Sequence, residues 1–392
     1  MRMNPGTRYI FSAACIGMFL FGVTMVSLGS ILPDIIIKYD LSEIAAGTLT
    51  SLLPGGILAG SLLFGPITDR YGYKYLLIIS TLFIIAALEG LAFTQNYILL
   101  RVYILLIGFA GGMLNGSTNA LVNDISSEGK SANISLLGVF YGIGALGMPA
   151  IIGLFSGKIT SSMIMAALGF IMIIPVIYFF FITFPGPKVT QKYPLKESIR
   201  MFRDPVLIMM GLFLFFQSGL EGVTTNWTTT YFQSIDMERK DAALFALSGY
   251  MLSLTIARVF LGWLLRKFPA HLIQFASMFI SGTGILILIL SKTYAFSAAG
   301  LMMLGAGFAA AFPVMLGYVG EIYKKLSGTA FSFVLVIALI GNMTINYSMG
   351  LIFNYFGIRY LPSLLFFCLA MLLIVFLIVL RNKRNAEIKS IP

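Results

Sequence analysis

Three residues spaced four apart, Gln217, Glu221 and Thr225, carry the strongest chemical signal in the chain. They share one helix face, inside a long apolar run that reads as a membrane span. A carboxylate there is costly unless it faces a polar cavity or a partner, so Glu221 is a candidate for holding a solute or a transferable proton. Two amide pairs repeat the theme: Asn115 and Asn119 lie one turn apart in the glycine-rich run Gly108 to Asn119, and Asn342 and Asn346 lie one turn apart beside Tyr347. Amides donate and accept hydrogen bonds, and an aromatic ring covers the apolar face of a sugar. With Gln217, Tyr141 and Trp227, these side chains suit a neutral polyhydroxylated ligand. The competing use of each amide is a bond between neighbouring helices. Asp34, at the outer end of the first apolar run, is a second candidate for proton transfer.

Catalysis finds no comparable set. His271 is the only histidine, beside a short loop with Arg266 and Lys267, and Cys15 and Cys368 each fall inside an apolar run. Neither a disulfide framework nor a metal site is expected from them. With no nucleophile–base set and no phosphate loop, the chain is not read as an enzyme, and no cofactor is expected.

The elements that must position these groups are membrane helices. With 58% hydrophobic and 10% charged side chains over 392 residues, the composition lies far outside that of a soluble domain. About 20 apolar residues cross a bilayer. The expected spans are 8–33, 44–66, 75–94, 97–123, 131–156, 162–184, 206–233, 241–265, 270–291, 295–320, 327–354 and 360–381. The first run continues past Gly29 without a small-residue cleavage site, so it is read as a span rather than a signal peptide. The longest polar stretch, Pro185 to Asp204, divides the chain into residues 1–184, a hinge at 185–204, and residues 205–392. The fold class expected is an all-α integral membrane protein with twelve transmembrane helices in two pseudo-symmetric six-helix bundles.

Charge gives the orientation. If the N-terminus is cytoplasmic, that side receives eighteen lysines and arginines and the other receives seven, with Arg258 inside the membrane. The positive-inside rule then puts both termini in the cytoplasm. It also explains the net charge of +11 better than nucleic acid does. A constant offset of 197 relates Gly22 to Gly219, Gly65 to Gly262, Gly108 to Gly305 and Asp124 to Glu321, which supports two related halves.

Between the second and third spans lies Gly65-Pro66-Ile67-Thr68-Asp69-Arg70-Tyr71-Gly72-Tyr73-Lys74. It resembles the loop between helices 2 and 3 of the major facilitator superfamily, Gly-x-Leu-Ala-Asp-Arg-x-Gly-Arg-Lys. Gly65, Asp69, Arg70, Gly72 and Lys74 match; Ile67, Thr68 and Tyr73 depart. The second-half copy, Gly262 to Phe268, has lost the acid. The resemblance implies a charged latch at the cytoplasmic gate. A carboxylate can cap a helix N-terminus, and Arg70 can pair with a nearby acid such as Asp124. Arg258 and Glu321 are expected to form the corresponding pair in the second half. Topology alone, with basic residues anchoring the loop, is the alternative.

Three further runs are similar to the sugar-permease-like group that contains fucose permease: Glu221-x5-Trp227-x3-Tyr231, Asn119 to Asn123, and Gly138-x3-Gly142-x-Gly144-x2-Gly147-x-Pro149. That group recognises sugar and couples protons with carboxylates in helices 1 and 4, positions that align here with about Ser30 and Asn115. Coupling, where present, would therefore fall to Glu221 or Asp34, and a facilitator without coupling is the alternative. The expected function is alternating-access transport of a small polar solute, a sugar by this resemblance, with proton-coupled uptake across the inner (plasma) membrane. The expected partners are that solute, the proton and the lipid bilayer, with no nucleic acid and a monomeric chain. The alternative is a drug or metabolite efflux antiporter, whose fifth-helix pattern Gly-x3-Gly-Pro-x2-Gly-Gly is interrupted here by Met148. A receptor on the same scaffold would usually carry an added soluble output domain.

Overall fold

The computed structural model of the chain describes residues 5–126, 130–186, 203–235, 240–291, 293–323 and 327–389. Among the described residues, twelve helices are long and apolar enough to cross a membrane. The first six spans are α1 (Pro5–Lys38), α2 (Glu43–Tyr71), α3 (Tyr73–Phe93), α4 (Tyr97–Ile125), α5 (Lys130–Leu154), and the pair α6 (Ser161–Ile171) and α7 (Ile173–Phe181). The second six are α8 (Pro205–Ile235), α9 (Lys240–Lys267), α10 (Ala270–Leu290), the pair α11 (Tyr294–Phe308) and α12 (Ala311–Ile322), α13 (Ser327–Phe356) and α14 (Leu361–Lys389). Side-chain oxygens start several of them. Asn96 accepts from the N–H groups of Ile98 and Leu99, and Thr160 from that of Met163, satisfying donors that a helix start leaves free.

Two spans expected as single helices are broken, and proline accounts for both. Pro175 has no N–H for the carbonyl of Ile171, where α6 ends; Pro313 has none for that of Ala309, beside the break after α11. Pro33, Pro54, Pro66 and Pro149 stand inside unbroken helices. The first span accordingly does not stop near Pro33 but runs to Lys38.

Glycine sets the closest helix approaches. A Cβ added at Gly108 in α4 would lie 2.2 Å from the carbonyl oxygen of Leu53 in α2. At Gly305 in α11 it would lie 2.3 Å from that of Tyr250 in α9. Leu53 and Tyr250 are themselves 197 apart, so the repeat read from the glycines returns as the same packing contact in both halves.

Two apolar cores result. One is built from α1 to α7 with Leu244 of α9 added; the other from α8 to α14, with Val26, Leu32, Ala46 and Ala145 from the first half. Those crossing residues mark the seam, where α1 meets α8, α2 meets α13 and α5 meets α9. The end of the bundle that carries the turn at Gly72 is here the near end, and the opposite one the far end. The seam is tight in the far half. A Cβ at Gly29 would lie 2.2 Å from Thr225 O, and one at Gly47 would lie 2.8 Å from the Cα of Gly350. Ser51 donates to the carbonyl of Met343 at 2.8 Å, and Thr229 donates to that of Gly29. Most of the expected hinge lies outside the described residues. Asp204 lies within them and accepts from the N–H of Val206 at 2.9 Å, fixing the start of α8.

Candidate functional site

Between the halves lies a cavity of about 850 Å³. It begins beneath the closed seam and runs to the near end, where Gly65, Pro66 and Ser332 line it and Leu62 and Pro66 are exposed. Apolar side chains line it in both halves, among them Ile57, Leu62 and Phe64 in the first and Phe312, Phe331 and Leu335 in the second. Polar groups line it as well: Asn115 and Asn119 from α4, toward the near end from Ile57, with Tyr141 from α5, Ser218, Glu221, Thr225 and Asn226 from α8, and Asn342 from α13. A solute resting there touches both halves.

Glu221 is held on both oxygens. Gln217, one turn back, donates to Oε1 at 2.9 Å and also to the carbonyl of Phe308 at 3.3 Å. Arg258 of α9 donates to Oε2 at 3.4 Å, forming an ion pair inside the membrane. This corrects the expected pairing of Arg258 with Glu321. Arg258 lies roughly 13 Å along the helix from the near end of α9 at Lys267, whereas Glu321 stands in the last turn of α12 at that end. Arg258 therefore pairs with a residue of the cavity wall rather than with Glu321 at the near end.

The amides form two sets. In α4, Nδ2 of Asn119 donates to the carbonyl of Asn115 at 2.8 Å and to its Oδ1 at 3.0 Å. In the second half, Asn342 donates to the carbonyl of Ser218 at 2.9 Å, and Asn346 to the Oδ1 of Asn342 at 2.8 Å. Asn226 then donates to the Oδ1 of Asn346 at 3.1 Å. Gly222 makes room for this, since a Cβ there would lie 2.3 Å from the Oδ1 of Asn342. Of the expected binding residues, Asn115, Asn119, Tyr141, Glu221 and Asn342 line the cavity. Gln217, Asn346 and Trp227 do not: Gln217 and Asn346 sit behind the wall and orient those in front. Trp227 is fully buried, edge-on to Phe353 with ring centroids 6.0 Å apart. Ser218 and Asn226 were not among the expected site residues; Asn226 lies on α8 next to Thr225, and its polarity was the available signal.

At the mouth, Gly72 adopts φ +80 and donates its N–H to Thr68 at 2.8 Å, a turn that a side chain would strain. Arg70 lies over the ring of Tyr71, and Lys74 over that of Phe180. The expected partner of Arg70, Asp124, accepts from the hydroxyl of Tyr73 at 2.5 Å, the residue that stands where the superfamily pattern has arginine. The side chain of Asp69 lies outside the described residues. In the second half, Tyr323 donates to Asp204 at 2.6 Å, tying the end of α12 to the start of α8. Asp34, the other expected coupling residue, accepts from Ser161 in its own half and does not line the cavity.

Spanning helices wrapped around a solute-sized cavity that opens at one end define a membrane transporter. The chain belongs to the Major Facilitator Superfamily, whose family model matches residues 14–271 and 240–391. It is 22% identical over 372 residues to the glucose/mannose transporter GlcP of Bacillus subtilis, covering 89% of this chain and 88% of that one. An uncharacterized transporter, y4wD of Sinorhizobium fredii, is 26% identical over 86% of this chain and 89% of its own. Among solved structures, a mutant of the nucleoside transporter NupG superposes with a TM-score of 0.80 at 13% identity, covering 96% of this chain and 99% of that one. A D-xylose-proton symporter gives 0.78 at 16%, covering 94% and 97%. At those identities the two structures speak for the fold alone.

Proposed function

We propose that the protein carries a sugar across the membrane by alternating access, as a proton-coupled uptake system. The observation that carries this is the polar lining of the cavity, to which both halves contribute: Asn115, Asn119 and Tyr141 from the first, Glu221 and Asn342 from the second. Such a set is suited to several hydroxyls at once, and likeness to a glucose/mannose transporter along most of the chain favours the same class. The near end is cytoplasmic by the lysine and arginine bias, so the state described is open inward. Residues 1–184 and 205–392 rock as two bodies about the seam, joined by 185–204, with a single chain in the inner membrane forming the whole path.

Glu221 is the coupling residue in this proposal. A proton on its carboxylate removes the charge that holds Arg258, so proton occupancy and the arrangement of the cavity wall change together. Coupling by Asp34 is not proposed, because its bond to Ser161 keeps it away from the solute. The test is uptake into proteoliposomes of hexoses, deoxyhexoses and nucleosides, with and without an imposed proton gradient. Accumulation of a hexose driven by the gradient, lost in Glu221→Gln while binding persists, is the expected result. Export of dyes with no uptake of any sugar sinks the proposal.

A further inference from the structure

The amides behind the cavity run in one direction, and backbone carbonyls fix it. The Ser218 carbonyl only accepts, so the Asn342 amide must turn its nitrogen there and its oxygen away. Asn346 donates to that oxygen and to the carbonyl of Asn342 at 3.0 Å, which fixes its orientation in turn. Its own oxygen then takes the amide nitrogen of Asn226. The relay ends there. Asn226 is 3% exposed and lines the closed end of the cavity, and its Oδ1 is buried with no partner among the described residues. A buried carbonyl oxygen left unpaired is unfavourable, and only a donor relieves it.

The neighbouring groups on α8 have the same polarity. Both oxygens of Glu221 accept, and the Thr225 hydroxyl is spent on the carbonyl of Glu221 at 2.7 Å. On the facing wall, Asn119 spends its nitrogen on Asn115, leaving Nδ2 of Asn115 as a donor. The cavity therefore offers acceptors at Glu221 and Asn226 on α8 and a donor at Asn115 on α4.

We propose that Asn226 Oδ1 is a specificity-determining acceptor that reads one hydrogen-bond donor, an O–H or N–H, on the solute. This rests on the cavity being the solute site, as proposed above, and sharpens it. A group that only accepts, such as an ether oxygen or a fluorine, is rejected at that position. Asn226 lies where α8 crosses Gly29, so the donor is read directly beneath the seam that has to open.

The test uses the full chain in nanodiscs and measures dissociation constants for matched pairs: each hexose hydroxyl against its deoxy and fluoro analogues, nucleosides against base N-methylated forms, and a primary alkylamine against its trimethylammonium. One position should lose about tenfold or more on replacing O–H by fluorine or N–H by N-methyl. That loss should vanish in Asn226→Ala. Should Asn226→Ala fail to fold, Asn346→Ala frees the Asn226 amide to rotate and should relax the same requirement. If a hexose binds and every fluoro analogue loses equally in wild type and variants, the Asn226 assignment is overturned while the sugar reading stands. If no hexose binds but an amine or nucleoside does, with an Asn226-dependent need for N–H, the sugar reading falls and the assignment stands. A panel in which nothing binds overturns both.

Discussion

Glu221 is held by two donors from different elements, and the way it is held lets its structural role be separated from the coupling role proposed for it. Gln217 comes from its own helix, and Arg258 from the next span. Removing one partner of a partly buried pair strands the other charge, whereas removing both charges strands neither, so Glu221→Gln alone should cost about 3 kcal/mol. The double variant Glu221→Gln with Arg258→Leu should recover most of that in thermal unfolding. Uptake should not return with it. Equal uptake by the double variant and wild type would reduce the pair to a structural bond. The cost of polar groups in a membrane made Glu221, Asn115, Asn119 and Asn342 stand out in the sequence, and they line the cavity; the same cost put Gln217 and Asn346 beside them, and the family resemblance added Trp227, though these three lie behind the wall. An amide facing a solute and one bonded behind the wall look alike as letters; the difference is which helix stands opposite.

At the level of helices, apolar length placed all twelve spans within a few residues, because crossing a bilayer leaves a helix little choice of extent. The breaks near Pro175 and Pro313 were not legible, since Pro33, Pro54, Pro66 and Pro149 lack the same N–H and leave their helices intact. The ends of helices at the mouth are tied by tyrosine to aspartate, Tyr73 to Asp124 and Tyr323 to Asp204. Burial first, and then the bond to Asp204, push the Tyr323 hydroxyl above its ordinary value of 10.0, so it remains a neutral donor across the physiological range. A tyrosine pushed upward stabilises below its unfolded value, and that contribution is lost as pH rises through the folded one. Tyr323→Phe should therefore lower the unfolding temperature by the same amount at pH 6 and pH 9, corresponding to about 1.5 kcal/mol. A penalty that fades between those two values would contradict the tie. Within each half, Gly108→Val should prevent folding, because the Leu53 carbonyl is backbone and has no rotamer to yield. Normal yield and monodispersity of that variant in detergent would show that α2 and α4 stand further apart.

For the whole molecule, the decisive difference is between glycines packed inside a half and glycines packed across the seam. A transporter that alternates needs its two states within a few kcal/mol of each other, so the far-half seam must be tight enough to close and weak enough to part. Gly29 answers to this: its Cα faces the backbone of Thr225 and Asn226 in the other half, and a Cβ would have no room. Gly29→Val should leave both cores intact, since its clash can be relieved by rotating one half against the other. The population should then move toward a state open at the far end. The native cysteines are both buried, so Thr225→Cys in the cavity wall can report the change. With Gly29→Val added, a membrane-impermeant thiol reagent applied from the far side should label it about tenfold faster or more, and solute uptake should fall because closure is impaired. Labelling from the near side should slow in step. A variant that unfolds instead would mean that the halves cannot part along this seam.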